Sequence, residues 1–94
     1  MDKFMQGAWD EAKAGMDEGN LPVGSVVVKD GEVIGTGRNR QRQTADPTTH
    51  AELEAIRDAA RRARGQDPTE LFKDAICYTT MMPCPMCAGA IIRF

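Results

Sequence analysis

A chain of 94 residues, 41% hydrophobic and 28% charged, has an ordinary globular composition and is long enough for one small domain with a thin core. Its formal charge of −2 argues against a globally basic nucleic-acid binder and leaves Arg38, Arg40 and Arg42 as the one candidate binding patch. No apolar run approaches the ~20 residues of a membrane span, and Met1-Asp2-Lys3-Phe4 lacks a signal peptide's layout, so the sequence reads as cytoplasmic with no membrane partner.

From Asp2 to about Gly19, Phe4, Met5, Ala8, Ala12 and Met16 recur at helical spacing, with Asp2 as cap and Gly19-Asn20 as stop. The stripe reads as core packing. Val23–Lys29 and Glu32–Gly37 are β-prone runs joined by Asp30-Gly31, a strong hairpin signal. Gly24, Gly35 and Gly37 precede no helix, so they mark bulges or close backbone approaches, not a dinucleotide fingerprint. Arg38 to Pro47 is a polar loop whose arginines read as solvated surface, with phosphate contact as the minority reading. Asp46-Pro47 is expected to open a helix with Leu53, Ile56, Ala60 and Ala63 on its buried stripe, closing at Arg61, Arg62 and Arg64 before Gly65. A connection follows, with a single turn at Pro68 to Leu71, then a strand from Ala75 to Thr80 and a last helix from Pro85. The final residues, Ala88 to Phe94, are strongly apolar and carry no helix stop, which predicts a truncated form of a longer domain.

Cys84 and Cys87 stand three residues apart in the first turn of that last helix, on one face and at an end that favours thiolate. Alone, the pair suits either a metal or a redox couple. His50, the single histidine, lies in Thr48-Thr49-His50-Ala51-Glu52. Residues two apart on a helix point ~200° from each other, so His50 and Glu52 can converge only where the helix has not yet begun. Thr49-x-x-Glu52 also reads as a capping box. The combination favours metal, since one imidazole and two thiols give three ligands and leave a tetrahedral position open, as in catalytic zinc sites. Cys77 is the spare thiol and reads as a small buried residue.

His-x-Glu followed by Pro-Cys-x-x-Cys is the zinc deaminase signature. The chain resembles the cytosine deaminase and tRNA adenosine deaminase branch of the cytidine deaminase-like superfamily through Leu21-Pro22-Val23-Gly24, Gly37-Arg38-Asn39, Asp46 to Glu52 and Tyr78 to Ile92. The resemblance implies a three-layer α/β/α sandwich, here a single incomplete deaminase domain over residues 1–94 with its C-terminal strands and helices missing. It implies one zinc ion per chain on His50, Cys84 and Cys87, Glu52 as the catalytic proton carrier, and substrate contacts from Asn39 and the Ala51 backbone N–H. The implied reaction is hydrolytic deamination, cytosine to uracil with release of ammonia, with tRNA adenosine or guanine as alternatives. Partners implied are a nucleobase or nucleoside, tRNA less so, and a second copy in a homodimer. Met82 and Ala51 depart from the Ser and Gly that fungal cytosine deaminases tend to carry. A competing reading from another class is an inactive zinc-bearing remnant that serves as an interaction module.

Overall fold

A computed structural model describes residues 2–40 and 50–80 and places them in α1 (Lys3–Asp17), β1 (Gly24–Lys29), β2 (Glu32–Arg38), α2 (Ala51–Ala63), α3 (Pro68–Phe72) and β3 (Ile76–Thr79). Arg42, Asp46-Pro47, Met82 and the expected Pro85 helix with Cys84 and Cys87 lie outside the described residues.

The Asp-Gly hairpin forms as expected. Asp30 and Gly31 both take left-handed backbone angles, φ 53° and 78°, the pairing a tight two-residue turn requires. β1 is central and pairs antiparallel with β2 on one edge and β3 on the other, giving the order β2-β1-β3. Val27 lies opposite Gly35 but Val28 lies opposite Val33, so Ile34 is the extra residue of a bulge.

The two faces of the sheet carry different helices. On one face Gly24 lets α1 approach so closely that a Cβ there would lie 2.5 Å from the Ala12 amide nitrogen and against the Ala8 carbonyl. Two residues on, Val26 faces the same helix. On the other face Gly35 and Gly37, opposite Val27 and Ser25, lie against α2; a Cβ on Gly35 would stand 2.8 Å from the Ala59 Cβ. Helix, sheet and helix make the three layers of the expected α/β sandwich.

These glycines also decide which helix faces are buried. On α1 the sheet-facing residues are Ala8, Ala12 and Gly15, whereas Met16, expected in the core, is exposed. On α2 they are Ala51, Glu52, Ala55 and Ala59; of the expected stripe Leu53, Ile56 and Ala63 are half-buried, the last two against the core, and Ala60 is exposed. Where glycine strands and helix backbones nearly touch, only small side chains fit between them. The core continues away from this contact through Val27, Ala55, Ala59, Leu71 and Phe72, with Ile34, Ile56 and Ala75 packed against it. α3, the expected single turn, brings in Leu71 and Phe72 and is capped by Asp67, whose carboxylate accepts the Thr69 N–H at 3.0 Å.

Charged side chains fasten the elements. Asp58 on α2 accepts the Thr36 N–H of β2 at 2.9 Å and pairs with Arg62 at 2.9 Å and Arg61 at 3.4 Å. Arg38, expected as solvated surface, is drawn onto α1 by Glu18 at 3.2 Å and Glu11 at 3.6 Å. Among the described residues no helix is long and apolar enough to cross a membrane.

Candidate active site

Antiparallel pairing on both edges of β1 sets the C-terminal ends of β2 and β3 beside its N-terminal end. Arg38 lies opposite Gly24. Beyond the strands the Asn39 N–H donates to the Val23 carbonyl at 3.0 Å, the Thr80 N–H donates to the Gly24 carbonyl at 3.1 Å, and the Gly24 N–H donates to Thr80 Oγ1 at 3.1 Å. The first turn of α2 covers this same end, because Gly37 leaves room for the Ala51 carbonyl and the Ala55 amide. Asn39, His50, Ala51 and Glu52 are thereby carried to one end of the sheet.

His50 is the N-cap of α2, in extended conformation (φ −80°, ψ 154°), and its side chain makes no capping hydrogen bond. The helix therefore begins at Ala51, not at the Asp46-Pro47 boundary, and Glu52 is its second residue. This removes the capping-box reading, which needs Thr49 at the cap and Glu52 three residues on. It also separates His50 from the helical path, so the ~200° that would oppose it to Glu52 on a regular helix does not apply. Ala51 is fully buried, and its N–H is one of the first-turn donors that no helical carbonyl reaches. Glu52 is only 4% exposed and makes no hydrogen bond or ion pair with any described residue. Asn39 is likewise buried.

Three further polar residues belong to this end: Ser25 and Thr79, which the sequence reading passes over, and Cys77, which it takes only as a spare thiol filling space. Ser25, opposite Gly37 on one side and Thr79 on the other, is wholly buried. Its hydroxyl donates to the Tyr78 carbonyl at 3.0 Å and lies 3.2 Å from Cys77 Sγ. Burial pushes the Cys77 thiol pKa up, and the charge of the Glu52 carboxylate adds to the rise. Cys77, expected as a small buried residue, is half-buried and is hydrogen-bonded to Ser25 on the face that α2 covers. Thr79 Oγ1 is buried with no hydrogen-bond partner among the described residues. A serine inside a β-branched run was the available signal, but its significance depends on a strand 52 residues away.

No three of His, Cys, Asp and Glu gather into a metal-sized cluster among the described residues. Of the expected zinc ligands the structure places His50; Cys84 and Cys87 lie outside the described residues. The donor set fits zinc in kind: a borderline-soft ion takes imidazole and thiolate, and three protein ligands leave one position for reaction. His50, off the helix and not spent on its cap, is compatible with that use.

The chain is similar to several known deaminases. Over 89 residues the chain is 38% identical to the tRNA-specific adenosine deaminase of Aquifex aeolicus (strain VF5), covering 95% of this chain and 56% of the relative. Over 93 residues it is 38% identical to the cytosine deaminase of Candida albicans, covering 98% and 59% respectively. The solved guanine deaminase of Bacillus subtilis superposes with a TM-score of 0.78 at 38% identity, covering 98% of this chain and 58% of that one. The chain thus spans under two thirds of the length of these relatives. Residues 1–94 match the family model described as the cytidine and deoxycytidylate deaminase zinc-binding region, and with these relatives and the three-layer fold this establishes that the chain belongs to that family of zinc-dependent deaminases.

Proposed function

We propose that the protein removes the exocyclic amino group of a nucleobase by hydrolysis, with zinc held by His50, Cys84 and Cys87 and with Glu52 as the proton carrier. The observation that carries this reading is the Glu52 carboxylate, buried and without a partner among the described residues at the start of α2. A buried acid left unpaired costs stability, and here a capping duty does not account for it. When bound, zinc supplies the Lewis acidity that makes water nucleophilic near neutral pH. Glu52 takes one proton from the attacking water and passes it to the ring nitrogen, then takes the second from the hydroxyl left on the attacked carbon and gives it to the departing amine, which leaves as ammonia as the carbonyl forms. Asn39 and the Ala51 N–H orient the base.

Cytosine as the free base is the substrate that the charge favours. Arg38 is engaged by Glu11 and Glu18, which withdraws one of three clustered arginines from phosphate contact, and the chain is net negative. Adenosine in tRNA is the second reading, favoured by the activity named for the Aquifex relative. Ammonia release from cytosine, guanine, adenine and a tRNA anticodon stem-loop decides among them. Glu52→Ala should retain zinc by metal analysis and lose turnover by at least two orders of magnitude, the lower bound of a general acid–base contribution of roughly 10²–10⁴. Full turnover in that variant overturns the assigned role, and zinc retention with no ammonia from any base in the wild type favours the interaction module instead.

A further inference from the structure

Along the α2 side of the sheet the packing is carbon against carbon at Val27, Ala55 and Ala59 and turns polar at the Glu52 end, where Ser25, Cys77 and Thr79 share one face. Two contacts fix where the protons lie. A hydroxyl has one proton, and that of Ser25 goes to the Tyr78 carbonyl at 3.0 Å. At 3.2 Å from Cys77 Sγ the same oxygen can then only accept, so the thiol is the donor. The proton chain runs Cys77 to Ser25 to Tyr78, away from α2. Gly37, opposite Ser25, lies against the Ala51 carbonyl and the Ala55 amide, so the first turn of α2 with the buried Glu52 covers this face, and no hydrogen bond joins Glu52 to the thiol.

We infer that Ser25 and Cys77 are positioning residues for Glu52: a neutral, hydrogen-bonded pair whose thiol proton is held by Ser25, so that the adjoining carboxylate keeps its lone pairs for the reacting molecules. A thiol free to turn would offer its proton to the nearest anion, and a carboxylate so engaged is a weaker base. The inference rests on the deaminase reading for what Glu52 does and on Ser25, Cys77 and Tyr78 alone for the direction of the bonds.

Infrared spectroscopy of the full chain tests the pairing without any substrate. The S–H stretching band of Cys77 is identified by its absence in Cys77→Val. Glu52→Gln should shift that band, because the charge beside the thiol is gone, and Ser25→Ala should move it toward the position of an unbonded thiol. A band unmoved by Glu52→Gln overturns the inference, whether or not any base is deaminated. Turnover gives the second readout. Cys77→Val should lower kcat on the order of tenfold with KM unchanged, and Cys77→Ser, which keeps a proton for Ser25, should restore most of it. Mere packing predicts the opposite order, since valine fills the thiol's space and serine buries another hydroxyl; wild-type kcat in the valine variant would therefore also overturn the inference. A Glu52-sensitive thiol band in a protein that releases no ammonia from any base removes the deaminase reading and leaves the pairing in place.

Discussion

A methyl group on Gly37 would have to share space with the Ala51 carbonyl and the Ala55 amide, backbone atoms that cannot swing aside as a side chain can. Gly37→Ala is accordingly expected to lift the first turn of α2 from the sheet and to cost about 1–3 kcal/mol in urea unfolding, with zinc affinity falling as His50 moves. Asp58 is a second single-residue test. Asp58→Ala removes the acceptor of the Thr36 N–H and both arginine pairs, and a loss of about 1–3 kcal/mol is expected from the stranded amide. The surface arginine pairs contribute little to that figure, so added salt should leave most of the loss in place. His50, Glu52 and Asn39 were legible from their motif wording. Ser25 and Cys77 were not, because what makes them a pair is the register of β1 against β3, a long-range fact that no local pattern encodes.

The elements themselves were largely readable, for reasons that differ from one to the next. Asp30-Gly31 announced its hairpin because few dipeptides tolerate two successive left-handed residues. The start of α2 was misplaced, since Asp46-Pro47 and Thr49 offer competing start signals in a short stretch and the extended backbone of His50 overrides both. The α1 stripe was right at Ala8 and Ala12 and wrong at Met16, and the α2 stripe missed Ala55 and Ala59, because hydrophobicity was weighed over size where contact with Gly24, Gly35 and Gly37 selects alanine. At its other end α2 stops on Arg64, left-handed at φ 48°, one residue before Gly65. A non-glycine residue in that conformation costs roughly 1 kcal/mol, so Arg64→Gly should raise the urea midpoint and leave zinc binding unaltered.

For the molecule as a whole, the Cys77 thiol links stability to pH. Its pKa is raised in the folded chain, so the native state holds that proton more tightly than the unfolded chain does. The stability this confers is complete below the pKa of an unfolded thiol and is lost as pH climbs through the folded value. Urea unfolding at a series of alkaline pH values should show the wild type losing ground steadily to Cys77→Val, with parallel behaviour near neutrality; equal slopes throughout would contradict the raised thiol pKa. Gly24 reports on the same architecture from another side. Its Cα is pressed against α1, and both its N–H and its carbonyl are taken by Thr80. In heavy water that amide proton is lost only after Thr80 lets go, so deuterium uptake at one glycine counts the occasions on which the third strand lifts from the first, a clock for this end of the molecule that needs neither metal nor substrate.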